Sequence, residues 1–159
     1  MNEKQQLRVR KIKEGTVIDH IPAGKALLVL KILNITGEEG VVIAVVMNVE
    51  SRKLGKKDIV KIEGRFLRME ELNKISLIAP TATINIIKDF KVYSKQRVSI
   101  PEKIKGILKC SNPSCITNQD REPVESSFTI ISKTPLKVKC DYCDQIMVQK
   151  DIVLQLTGI

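Results

Sequence analysis

The chain has 159 residues, enough for one ordinary domain or two small ones, and at 43% apolar it is too hydrophobic for wholesale disorder. No run approaches the roughly 20 apolar residues of a membrane span, and the polar start Met1-Asn2-Glu3-Lys4-Gln5-Gln6 lacks the apolar stretch of a secretion signal, so a cytoplasmic protein is expected. The formal net charge of +9 is unevenly spread: residues 1–100 carry 19 Lys and Arg against 11 Asp and Glu, residues 101–159 carry 8 against 7. An anionic ligand is therefore expected on the first part, against the alternative of a merely solvated basic surface.

Trp is absent and the aromatics are Phe66, Phe90, Phe128, Tyr93 and Tyr142, so the core must be aliphatic. In chain order, residues 7–12 and 16–19 read as short strands around Gly15. Pro22 suits a helix start, and residues 23–33 are good helix formers with a broad apolar face of Leu27, Leu28, Leu30 and Ile32. Residues 37–40 are a turn. Residues 41–49 are almost continuously apolar and β-branched, as in a central strand. A basic hairpin around Gly55 returns through residues 59–62. A second helix is expected over 69–78, with Leu72, Ile75 and Ile78 at helical spacing, ended by Ala79-Pro80. Residues 83–87 and 90–93 close the series as strands. The order predicts an α+β fold, an antiparallel sheet with two helices on one face in a ferredoxin-like arrangement.

A boundary is expected near Ser99-Ile100-Pro101, giving domains 1–100 and 101–159, because the charge balance changes there, Pro101 interrupts the strand pattern and all four cysteines lie beyond it. The second part shows no helix signal. Residues 104–108, 126–131, 136–139, 146–148 and 152–154 read as strands of a small all-β domain, which at this size needs a metal or disulfides to be stable.

The cysteines fall as Cys110-x4-Cys115-x24-Cys140-x2-Cys143. Two short loops, each turning two sulfurs toward one point, are what a tetrahedral four-thiolate zinc site requires. Two disulfides or plain core cysteines are the alternatives; without a secretion signal, disulfides are disfavoured. Four protein ligands leave no position for water or substrate, so the zinc, one per chain, is expected to be structural. His20, the one histidine, stands beside Asp19. A catalytic pair is a weak reading, since adjacent strand residues point to opposite faces and no nucleophile motif accompanies them. Ligand recognition at a helix start and a histidine without special duty both stay open. Lys57 and Lys61 share one face of a strand and Lys95 ends the last one: a phosphate cluster or a solvated face.

Four motifs in order resemble a known family. Gly15-Thr16-Val17-Ile18-Asp19-His20-Ile21-Pro22-Ala23, Gly55-Lys56-Lys57-Asp58-Ile59-Val60-Lys61-Ile62-Glu63, Ala79-Pro80 with Ala82-Thr83-Ile84-Asn85, and the cysteine set resemble the regulatory chain of aspartate carbamoyltransferase over nearly the whole sequence. The resemblance implies a non-catalytic subunit. Its N-terminal allosteric domain would bind nucleoside triphosphates (CTP, ATP, UTP), and its zinc domain would dock on the catalytic chain. The family assembly joins two catalytic trimers through three regulatory dimers at the start of pyrimidine biosynthesis, so a second regulatory chain is implied, and neither membrane nor nucleic acid. By position, Ile12, Val17, Asp19, His20, Lys57, Lys61, Asn85, Phe90, Val92 and Lys95 would line the nucleotide site, with Asp19 on the ribose hydroxyls and His20 beside the sugar–phosphate. Ser114 departs from an asparagine common in the family, which alters the hydrogen bonding expected toward the catalytic chain. Arg10 and Lys11 stand where members vary, so base preference does not carry over. A basic zinc-ribbon protein that binds nucleic acid is the rival; it calls for positive charge around the cysteines and stacking aromatics, and this chain supplies neither.

Overall fold

The β-branched run Thr16-Val17-Ile18 favours a strand, and β1 (Gly15–Pro22) is that strand, with Thr16, Ile18 and Ile21 fully buried. In the computed structural model, which describes residues 11–121 and 123–158, the chain divides into two compact units that part between Val98 and Ser99. The strand expected over residues 7–12 lies largely outside the described residues; Lys11 and Ile12 precede β1 without strand structure.

The first unit runs β1, α1 (Ala26–Ile32), β2 (Ile43–Ser51), β3 (Gly55–Glu63), α2 (Met69–Ile78), β4 (Thr83–Lys88) and β5 (Lys91–Arg97). The strands form one antiparallel sheet in the order β2-β3-β1-β4-β5. One face carries the buried Ile18, Val60, Ile62 and Ile84. The helices contribute Ala26, Val29, Ile32, Ile75 and Ile78 to the same core and contact each other. The opposite face is left open. Gly15 is obligatory at the start of β1: with φ +143°, any Cβ would sit 2.1 Å from the Ile62 carbonyl oxygen.

Three expectations need correction. The helix begins at Ala26, three residues later than expected, because Pro22 completes β1 and Gly24 takes φ +89°. The β-branched run in residues 41–49 is an edge strand, β2, with Val41, Val42 and Val45 exposed. The second unit carries a helix, α3 (Gln149–Thr157), where residues 152–154 were expected as a strand. Ile152 is its buried anchor, and Gly158 stops it in the left-handed conformation with an N–H···O bond to Leu154 of 2.7 Å. The sheet-built core of that unit is as expected: β6 (Lys103–Lys105), β7 (Ser127–Lys133), β8 (Leu136–Cys140) and β9 (Ile146–Val148) pair antiparallel in sequence order. Phe128, Val138 and Met147 are fully buried within it.

Asp58 holds the first unit together. Its side chain is fully buried, and its carboxylate accepts N–H bonds from Gly24 (2.9 Å), Ala26 (3.0 Å) and Asn48 (2.8 Å). It thereby caps α1, whose own N-cap residue Lys25 supplies no side-chain bond, and fixes the bulge of β2 where Asn48 takes φ +61°. Asp58→Ala leaves three N–H groups without this acceptor. A loss of about 3–5 kcal/mol is expected in denaturant unfolding of the first unit, with unfolding of the second unit unmoved; a loss under about 1 kcal/mol would remove Asp58 from this role.

Candidate metal centre and anion face

The second unit brings its four cysteines together. Cys110 follows β6, Cys115 precedes a 3-10 turn (Ile116–Asn118), Cys140 ends β8, and Cys143 lies in the turn to β9. All four sulfurs lie within 4.8 Å of one another. The Cys110–Cys143 and Cys115–Cys140 Sγ separations are 3.5 and 3.7 Å. A tetrahedron of metal–sulfur bonds of about 2.3 Å has edges of about 3.8 Å, whereas a disulfide is about 2.05 Å. These are free thiols at metal-site spacing, not two disulfides. Burial pushes the Cys110 thiol up to about 12 and raises Cys140. It acts the same way on Cys115, but the Thr117 hydroxyl and N–H outweigh it and bring that thiol down to about 7. An all-sulfur donor set this close and this dehydrated fits a thiophilic divalent cation.

Polar side chains hold the two knuckles. Asn112 accepts the Ser114 N–H at 3.0 Å, and Asn118 donates to the Cys110 and Asn112 carbonyls at 2.9 and 2.7 Å. Asp141 accepts the hydroxyls of Ser127 (2.6 Å) and Thr129 (2.5 Å), with Lys103 at 3.5 Å. From α3, Gln155 clamps Lys109, accepting its N–H at 2.8 Å and donating to its carbonyl at 2.7 Å, one residue before Cys110. The Asn118 and Gln155 supports leave no trace in residue spacing, because each depends on a fold contact.

In the first unit the ladder pairs Val17 with both Lys61 and Asn85, and Asn85 with Lys95. Lys61, Val17, Asn85 and Lys95 thus form one row across four strands of the open face, about 14 Å from end to end at ~4.8 Å per strand. Asn85 Oδ1 in the middle is buried and has no hydrogen-bond partner. Beside this row, Asp19 meets Lys57 at 2.8 Å. Burial raises the Asp19 carboxyl, but that contact and the His20 N–H at 2.6 Å prevail and lower it. Burial likewise lowers Lys61, with Asp19 opposing and Lys11 adding to the shift. Ile87 and Val92 pair at one end of the face. Phe90 is exposed at the β4–β5 turn, where its N–H reaches Lys13, and Ile12 is buried just before β1.

His20 does not follow the strand rule. A register break after Ile18 and φ +55° at His20 turn its ring toward the Asp19 face, where Nδ1 lies 3.0 Å from Thr83 Oγ1 and 3.9 Å from Asp19. Asp19 and His20 are neighbours after all, and the Thr83 hydroxyl stands against the same ring nitrogen. Thr83 was not among the expected site residues; only the pairing of β4 with β1 reveals it.

The family description "Aspartate carbamoyltransferase regulatory chain, allosteric domain" matches residues 7–99, and "Aspartate carbamoyltransferase regulatory chain, metal binding domain" matches residues 102–153. Relatives named aspartate carbamoyltransferase regulatory chain include those of Korarchaeum cryptofilum (62% identity, 98% of this chain and 99% of the relative) and Thermofilum pendens (62%, 98% and 98%). That of Hyperthermus butylicus is 60% identical, covering 98% of each chain.

Burial lowers the His20 pKa from 6.5, Asp19 opposes this, and Lys57, Lys53 and Lys95 reinforce it. The unfolded chain therefore binds this proton more readily, so His20 should cost stability as pH falls through ~6.5. His20→Gln should become more stable relative to the parent on acidification in paired unfolding curves. A difference that instead favours the parent at low pH would contradict the half-buried, neutral imidazole.

Proposed function

Because this chain belongs to the aspartate carbamoyltransferase regulatory-chain family, we propose that its open basic sheet face is an effector site for nucleoside triphosphates and its thiolate cluster a structural zinc site. The chain is a regulatory, non-catalytic subunit with an allosteric and a metal-binding domain, and a catalytic chain is its partner. Among the described residues no helix is long and apolar enough to cross a membrane; a cytoplasmic location is part of the proposal.

The observation that carries the effector reading is the row of Lys61, Val17, Asn85 and Lys95 with its unpartnered Asn85 oxygen. A buried polar atom between two cations is costly without a ligand and is satisfied by a polar one. Lys57 is already committed to Asp19, so Lys61 and Lys95 are the proposed phosphate and ribose partners, and the Asp19–Lys57 pair the ribose side. Ile12, Val17, Phe90 and Val92 supply apolar surface for a base, and His20 stands beside the sugar–phosphate. CTP, ATP and UTP are the proposed effectors. In calorimetric titration, Lys61→Ala and Lys95→Ala should each weaken CTP and ATP binding by about 1–3 kcal/mol, and salt should weaken it in the parent. Unchanged affinity in both variants would sink the site.

Through its zinc unit the chain is proposed to dock on catalytic trimers, two of them bridged by three regulatory dimers. For the dimer, the second copy is proposed to pair along β2. This edge strand leaves backbone groups open, and Val41, Val42 and Val45 are exposed there, as is Leu27 on α1. Light scattering should give a dimer that carries one zinc per chain and forms a complex of twelve chains with catalytic trimers. Val45→Lys should give a zinc-loaded monomer. A Val45→Lys dimer, or a parent with stoichiometric disulfides and no metal, would contradict the corresponding assignment.

A further inference from the structure

The backbone of Cys110 is held from both sides. Its own carbonyl accepts the Asn118 amide at 2.9 Å. The peptide that leads into it is held by Gln155, 46 residues away along the chain. One side-chain amide accepts the Lys109 N–H at 2.8 Å and donates to the Lys109 carbonyl at 2.7 Å. That carbonyl and the Cys110 nitrogen belong to one planar peptide. The second bond therefore fixes the plane from which the Cys110 side chain departs.

Gln155 reaches Lys109 from a helix anchored on the other half of the cysteine cluster. Helix α3 follows β9, the strand that leaves the turn of Cys143. At its start, Gln149 accepts the Leu136 N–H at 3.0 Å, where the strand that ends in Cys140 begins. Ile152, three residues on, is fully buried, and Gln155 follows at the same helical spacing. Three contacts on one side of α3 thus join the strand of the second cysteine pair to the entry of the first. Gln155 is itself exposed, so it adds little packing; what it adds is alignment.

We propose that Gln155 is a positioning residue of the metal centre, its amide aligning Cys110 with the other three sulfurs and so slowing release of the bound ion. The inference rests on the metal reading above and deepens it. A four-thiolate site loses its ion one bond at a time. For Cys110 to swing away, its leading peptide must turn, and the two bonds to Lys109 oppose that turn. Groups that orient metal ligands in this way are typically worth about tenfold or more in metal retention.

The test is transfer of zinc from the full-length, zinc-loaded chain to an excess of a chromophoric chelator. Gln155→Met keeps the length of the side chain and loses both bonds. It should speed transfer about tenfold, with the unfolding midpoint of the first unit unchanged. Gln155→Glu keeps the shape, loses the donor to the Lys109 carbonyl and should also speed transfer. Limiting iodoacetamide separates alignment from general loosening: in both variants Cys110 should be the first cysteine modified, as located by mass spectrometry. Transfer within about twofold of the parent's in both variants, or four cysteines modified at one rate, overturns the assignment. A parent that holds no metal overturns the metal reading itself, and this assignment with it.

Discussion

Close packing of the four cysteine sulfurs in a buried cluster is the constraint on which the second unit depends, and sheet register that gathers lysines on one face is its counterpart in the first. Four sulfurs within 4.8 Å of one another cannot all ionise without a cation among them. On the sheet face, burial holds His20 and Lys61 below their usual proton affinity; Asp19 opposes the shift and neighbouring lysines add to it. In the proposed reading each cluster takes a ligand of the opposite sign: a divalent metal in the second unit, a polyphosphate in the first. Assigned this way, the ligands follow from charge as much as from kinship.

The frameworks differ in what they spend on holding these clusters. In the first unit, sheet register does the placing: antiparallel pairing alone aligns Lys61, Val17, Asn85 and Lys95, and Asp58, from the other face of β3, locks helix α1 and the β2 bulge behind them. In the second unit the sheet is small, and the knuckles rely on side-chain bonds from Asn118, Asp141 and Gln155. Such a unit draws much of its stability from the metal itself. A regulatory subunit gains from the difference. In the proposed reading the metal-binding unit meets the catalytic chain, while the open sheet face stays available to an effector whose differential affinity shifts the partner's equilibrium.

Much of this was legible in the residues. Helix α2 occupies its expected span, Met69–Ile78, because Leu72, Ile75 and Ile78 keep helical spacing and Ala79-Pro80 closes it. The cysteine pairs were readable because each is local. Failures came where tertiary context overrode local pattern. An unbroken β-branched run looks central, yet β2 is an edge, since the same composition suits a strand buried by another chain. Ile152-Val153-Leu154 looks like a strand because β-branching is a weak signal over three residues; the decisive cues were Gly158 and the burial of Ile152. His20 was placed on the wrong side because a bulge cannot be read from alternation, and Thr83 became visible as its neighbour only through the pairing of β4 with β1.

The account stands on two units with two ligands of opposite charge, and differential scanning calorimetry of the full-length chain tests it directly. Saturating CTP, at about 100 times its dissociation constant, should raise the transition of the sheet unit by roughly 10 °C or more and leave the zinc unit's transition in place. A thiol-modifying reagent with chelator should abolish the zinc unit's transition and leave the other. A single transition moved by neither treatment, or a CTP shift confined to the zinc unit, would contradict it.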